Sequence, residues 1–309
     1  MNRGLFTRWV IKGSIFIFLV MITTAAILVL LPAQDLTFIP DKIKLLESTP
    51  GPRVIVIGGS NVLFGQDSEQ LSGKVKMPVI NDGLIFPLGM RVILNSLVPF
   101  IHSGDIVVIS PEYGLSLVDL EGNGEFLAQL LNIYPQAIQS FELPQYIQLP
   151  DIYIMMVRFK LQYLFNYDLS PSREDLNRYG DVIIPPGKLA QLVLPDLPIV
   201  NADQSYHQAT AEAFNRFARR AEAKGATVVM VYPATRMVNC LPAKDQLDQL
   251  DNYFRDHLEF PVLNHPFDSC YAEKYIYDSY YHLNMEGRSL RTLQLAELLI
   301  DQDIVKVAR

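Results

Sequence analysis

A chain of 309 residues, half of them hydrophobic, is long enough to bury one sizeable core or two small ones. Its formal net charge is −7 and it carries no basic run, which excludes the clustered Lys/Arg surface that binding to nucleic-acid phosphates requires. Nucleic acid is therefore not an expected partner.

The first feature in chain order is an apolar run. Arg3, Arg8 and Lys12 precede a stretch from Gly13 to Leu31 that carries no charge. About 18 such residues suffice to cross a hydrocarbon core as a transmembrane helix. The upstream cations, set against Asp35, Asp41, Lys42 and Lys44 downstream, put the N-terminal tail in the cytoplasm and the rest of the chain outside it. A cleaved signal peptide is the competing reading. Against it, the run is long for a signal peptide, and Leu31-Pro32-Ala33 is a poor small-x-small cleavage site. The expected organisation is a tail and transmembrane anchor over 1–33, a Pro- and Gly-containing linker over 34–52 that lifts the rest off the membrane, and an α/β domain over 53–305.

Within that domain "RVIVIGG" reads as a first strand and "MPVINDGL" as a second. "PLGMRVILNSLVPFI" is the helix after it, and "GDIVVISPEY" a third strand stopped by Pro111. Residues from about 115 to 200, rich in aromatics and prolines, break the rhythm and read as an insertion or lid. Its segment 151–167 is apolar but holds Arg158 and Lys160. It is either a helix buried under the insertion or a surface that touches the bilayer or a membrane partner. The rhythm returns with the helix "SYHQATAEAFNRFARRAEAKG", closed by Gly225, and the strand "ATVVMVYPAT". The helix "AKDQLDQLDNYFRDHL", the short strand "FPVLNHP" and a C-terminal helix after a long loop follow. Short aliphatic strands alternating with helices predict an α/β fold with a parallel sheet covered by helices. Cys240 and Cys270 either pair or sit apart as two small core residues.

Ligands of a parallel sheet bind outside the carboxyl ends of its strands. Ser60, in "VIGGSN", stands at such an end, with a helix expected to open behind it and favour a developing oxyanion. It is either a nucleophile or the polar residue of a tight turn. A serine nucleophile needs a base. Of the five histidines His282 is best placed, in the last loop four residues after Asp278, whose carboxylate would orient the imidazole. His282 could instead cap the final helix, and His265 is a second candidate base. Tyr275, Tyr277, Tyr280 and Tyr281 form either a sugar-stacking platform or ordinary core and loop. Asn284 and Gly287 read as the start of the last helix. "GGSNVLFG" lacks the features of a P-loop, a dinucleotide loop and a G-x-S-x-G elbow. No His/Cys cluster has zinc spacing, and neither a metal nor a cofactor is expected.

"VIGGSN", "NDG" and "YDSYYHLNMEGR" together resemble the SGNH/GDSL hydrolase superfamily, and more closely its membrane-anchored branch of D-alanine-transfer and alginate-acetylation proteins. The likeness covers about 50–110 and 205–305 and does not reach the insertion. It implies a flavodoxin-like three-layer α/β/α fold without metal or cofactor, and hydrolysis or transfer of an O-linked acyl group. By the same resemblance Ser60 is the nucleophile, His282 the base, Asp278 the acid and Gly83 a backbone oxyanion donor. Two departures stand out: Glu112 lies near the place of the family's oxyanion asparagine, and the Asp–His spacing is one residue longer than usual. Asn61 and Asn81 are the candidate substitutes for the missing asparagine. The expected partners are an acylated glycan or other acyl ester as substrate, the membrane through the N-terminal helix, and a multi-span membrane acyltransferase. The alternative function is a catalytically inactive binding or assembly subunit of such an acyltransferase system.

Overall fold

The computed structural model describes residues 3–33, 36–114, 117–162, 176–183 and 204–306. The centre is a parallel sheet of β1 (Val54–Gly58), β2 (Val79–Gly83), β3 (Ile106–Ser110) and β4 (Thr227–Met230), in the order β2-β1-β3-β4. This is the start of the flavodoxin-like order. The register sets Gly58 beside both Gly83 and Ser110, so three strands end level at their carboxyl edge.

Both faces of the sheet are covered, which is why its strands are almost wholly buried and mostly apolar, with Asn81 and Asp82 of β2 as the main exceptions. Ile55, Ile57, Val107, Ile109, Val228 and Met230 face a layer built from α2 (Ile39–Ser48), α5 (Met90–Leu97), α10 (Gln204–Glu222) and α12 (Lys244–His257). Val54, Val56, Val108 and Val229 face α4 (Ser68–Val75) and α13 (Met285–Asp301). Burying each such side chain is worth about 1.5–3 kcal/mol. The expected strand "FPVLNHP" shrinks to a single parallel bridge between Met230 and Val262. Pro261 can accept but not donate, and beyond Leu263 the ladder ends where the Asn264 side chain takes the Tyr232 N–H.

The region expected as a linker is part of the domain. Leu36, Phe38, Ile39 and Leu46 are buried in the main core, and Pro40 sits in the first turn of α2, where a missing N–H costs nothing. Before it, α1 (Arg3–Leu30) is long and apolar enough to cross a membrane. The insertion contains α6 (Leu117–Glu121), α7 (Gly124–Ile133), α8 (Leu143–Ile147) and α9 (Leu149–Gln162). Residues 163–175 and 184–203 of it lie outside the described residues. In the expected apolar segment, α9 packs on α7 and on the end of α1. The Tyr153 hydroxyl donates to Thr24 Oγ1 at 2.7 Å, and the buried Lys160 donates to the Leu31 carbonyl at 2.6 Å. Ile154 on α9, with Leu143 and Ile147 on α8, stays exposed.

Near the C-terminus β5 (Thr235–Arg236) pairs with β6 (Cys270–Tyr271), and α3 (Ser60–Gly65) and α11 (Met237–Cys240) complete the elements named below. Cys240 and Cys270 form a disulfide with Cα atoms 6.4 Å apart, closing 30 residues. The chain-entropy relation gives about 3.6 kcal/mol for such a loop. Replacing both cysteines by alanine should lower stability by an amount of that order in urea unfolding, and reductant should then leave the variant unchanged while it weakens the wild type.

Candidate active site

Ser60 opens α3 directly behind the Gly58-Gly59 corner. A Cβ on Gly59 would lie 2.7 Å from Glu112 Oε1, so only glycine allows this approach. β3 ends at Ser110, and Pro111 carries Glu112 across to the same place. There Glu112 Oε1 accepts the Ser60 hydroxyl at 2.8 Å and the Asn61 N–H at 2.9 Å. The side chain is 9% exposed. Burial pushes its carboxyl above the usual carboxylate range, partly opposed by the Asn61 and Ser60 hydrogen bonds and the neighbouring His282.

His282 and Asp278 meet as expected. His282 Nδ1 and Asp278 Oδ1 are 2.6 Å apart. A carboxylate only accepts, so Nδ1 carries the proton between them, and in the neutral ring Nε2 is the nitrogen left with a lone pair. The ring lies flat on Phe64, with centroids 4.1 Å apart and planes 17° from parallel. Phe64 is one turn beyond Ser60 on α3, and this stack brings the last loop to the helix that Ser60 opens. The loop is fixed by the Tyr277 N–H on the His282 carbonyl, 2.8 Å, and an Ile276–Leu283 bridge. As expected, Asn284 caps α13 by accepting the Gly287 N–H at 3.0 Å.

Other expected roles are not met in this arrangement. Among the described residues Ser60 forms no hydrogen bond with His282; its hydroxyl is on Glu112. The Gly83 N–H, expected to stabilise an oxyanion, donates to Asn81 Oδ1 at 2.8 Å. The Asn61 amide donates to the Ser110 carbonyl and hydroxyl, and the Asn81 amide to the Val62 carbonyl and Asp181. Both side chains brace the sheet edge. Asn61 shares the serine's acceptor through its main-chain N–H, and Gly83 packs against Val62 and Leu63 of α3. His265 is engaged with Asp248 and with the Phe267 N–H. The four tyrosines are half-buried and present no exposed platform. Tyr281 donates weakly to the Tyr113 carbonyl at 3.4 Å, and Tyr275 meets Tyr271 edge-on.

Sequence reasoning missed Phe64, whose signal is its spacing of four residues from Ser60. It also missed a cavity of about 30 Å³ behind Glu112, room for one water-sized group, lined by Met90, Tyr113, Tyr206, Phe214, Tyr232 and Phe254. No group of side chains among the described residues could hold a metal ion.

A charged network supports the β2 end of the site. Lys42 of α2, wholly buried, donates to the Asn81 carbonyl at 2.9 Å. Burial lowers its amine to about 8, and burial also lifts the carboxyl of neighbouring Asp82 from 3.8 to about 7. The folded protein thus keeps the Asp82 proton to higher pH than the unfolded chain does. That contribution to stability is complete below the ordinary aspartate value and is lost as pH rises through about 7. Urea unfolding should show stability declining over this window by at most ~1.4 kcal/mol per pH unit, and Asp82→Asn should flatten the decline. Lys42 acts in the opposite sense, with stability recovering as pH rises above about 8.

No family model matches the chain, and no curated protein matches it. Among solved structures it is similar to protein YxiM of Bacillus subtilis, with 12% identity and a TM-score of 0.40 over 84% of this chain. The match spans 59% of that structure. Similarity at this level carries no chemistry, and the SGNH resemblance rests on the residues themselves.

Proposed function

We propose that this protein is a membrane-anchored, extracytoplasmic SGNH-like serine esterase or O-acyltransferase acting on acyl esters of a cell-envelope or secreted polysaccharide. One observation supports it above the rest: the 2.6 Å Asp278–His282 pair is stacked on Phe64, one turn from Ser60. In this reading Ser60 Oγ attacks the acyl carbonyl and His282 Nε2 takes its proton. Asp278 holds the ring and stabilises the imidazolium. Water or a sugar hydroxyl then accepts the acyl group. The polysaccharide comes from the family resemblance, and the extracytoplasmic side from the cations before α1 and the disulfide.

The second reading, an inactive binding or assembly subunit, is favoured by one contact, the Ser60 hydroxyl turned to Glu112. A fluorophosphonate probe on the full-length protein separates the two. Covalent labelling at Ser60, lost in Ser60→Ala and strongly slowed in His282→Ala, supports the enzyme. An unlabelled Ser60 supports the subunit.

A further inference from the structure

The oxygen of Glu112 that binds Ser60 and Asn61 lies where a serine mechanism has most use for hydrogen-bond donors. An acyl carbonyl attacked by Ser60 Oγ develops its negative charge beside that hydroxyl, within reach of the next main-chain N–H. Here the Asn61 N–H is already on Glu112 Oε1, at 2.9 Å, and the Ser60 hydroxyl points to the same atom at 2.8 Å. What occupies the position is a carboxyl group, and a carboxyl has two states with opposite hydrogen-bonding capacity. Ionised it only accepts; neutral it also donates.

We propose that Glu112 takes part in the reaction as a neutral carboxylic acid, and that its ionised form holds the site off. The proposal rests on the serine mechanism above and names the control of that same site. As a carboxylate, Glu112 draws the Ser60 hydrogen away from His282 and occupies the Asn61 N–H with a negative charge. As an acid it donates its own O–H to Ser60 Oγ, which releases the Ser60 hydrogen to turn to His282. The substrate carbonyl oxygen then takes the place of Oε1 on the Asn61 N–H. As the Ser60 Oγ–carbon bond forms, the carbonyl electron pair moves onto that oxygen and the Ser60 proton passes to His282 Nε2. Glu112 turns its one O–H from Ser60 Oγ, now an ester oxygen, to the oxyanion without giving up its proton. Collapse re-forms the carbonyl, and the departing alcohol takes the proton from His282.

The surroundings suit a carboxyl kept neutral. Behind it lies the small, mainly apolar cavity closed by Met90, Phe214 and Phe254. Burial is the largest influence on its proton, in the direction of retention. Among the described residues the titratable and charged groups around it are few. His282, with Asp278 behind it, and Tyr281 come from the last loop, and Tyr113 is its chain neighbour. Tyr206 and His207 of α10 line the same cavity. Arg291 of α13 and Asp251 of α12 act on Tyr113 from further away. Arg291 itself is tied to Ser110, Ser269 and the Tyr232 carbonyl.

The test is the rate of fluorophosphonate labelling at Ser60 in full-length protein, followed by intact mass from mildly acidic to mildly alkaline pH. Wild type, Glu112→Gln and Glu112→Ala are compared, with melting temperatures taken alongside. Wild-type labelling should fall as pH rises, through loss of the Glu112 proton. Glu112→Gln, a permanent donor of the same shape, should remove that fall and label at least as fast as wild type. Glu112→Ala should be slower than Glu112→Gln at every pH by about 10²-fold, the usual cost of one oxyanion donor. A dead Glu112→Gln would overturn the proposal by making Glu112 the base. An alanine variant as fast as the glutamine variant would overturn it by making Glu112 a plug with no donor role. Absence of Ser60-dependent labelling in all three would instead sink the serine mechanism itself.

Discussion

Ser60→Ala should lose turnover of a small activated acetate ester by about 10⁴–10⁶-fold, and His282→Ala by a comparable factor, because nucleophile and base act as one unit. Combining the two substitutions should then cost little more than either alone. Asp278→Asn should cost less than either, since Asp278 acts through the ring and is the more exposed member of the pair, at 32% against 15%. Initial rates on the full-length protein, with melting temperatures unchanged, check the series. Turnover retained by His282→Ala would remove His282 from the mechanism whatever Ser60 does. The Phe64 stack adds a smaller expectation: Phe64→Ala should lower kcat with KM little changed, because it frees the ring without touching substrate.

The largest effect on stability is expected at Arg53, which stands just before β1 and is fully buried. Its guanidinium donates to the carbonyls of Leu46, Thr49 and Phe100 at 2.6, 2.5 and 2.7 Å. Its Nε lies 3.4 Å from the equally buried Asp105, which also accepts the main-chain N–H groups of Arg53 and His102. The pair thus ties the end of α2, the start of β1 and the turn before β3 together. Arg53→Ala strands a buried carboxylate and three carbonyls, and removal of one partner of such a pair costs about 3–5 kcal/mol. Urea unfolding should find a loss of that size. Joining Arg53→Met to Asp105→Asn should recover part of it, because the second change removes the stranded charge. A loss under about 1 kcal/mol for Arg53→Ala would mean that water reaches the site.

Much of this fold is legible in the sequence where periodicity carries it. The runs that become β1 and β3 are almost wholly aliphatic, β2 and β4 open or close on polar residues but keep an aliphatic pair, and α10, α12 and α13 repeat their apolar residues at helical spacing. The Asp278–His282 pair is legible too, because a four-residue spacing before a capped helix keeps both partners in one short loop. α2 is not, because Pro40, Pro50, Gly51 and Pro52 crowd its ends and hide a single amphipathic turn pattern between them. The oxyanion donors are illegible for a different reason. A main-chain N–H has no sequence signature, and whether the Gly83 or Asn61 amide is free depends on side chains such as Asn81 and Glu112 arriving from elsewhere. Glu112 reads as an obstacle in one dimension. Only the converging Ser60 and Asn61 contacts make it a participant.

The clamp between α9 and the end of α1 bears on how such an enzyme would meet its substrate. Tyr153 and Lys160 hold the last turns of the apolar helix, and Leu36 and Phe38, a few residues further on, are already inside the core. With α1 across a bilayer, the catalytic edge would have no tether on which to swing. Its height and heading would be set, and its search would be lateral, by diffusion of the whole molecule in the plane of the membrane. Polymer strands would then be modified only within a thin layer next to the lipid. Newly exported chain would be reached before mature wall, so the spatial pattern of modification would be fixed by one hydroxyl and one ammonium group.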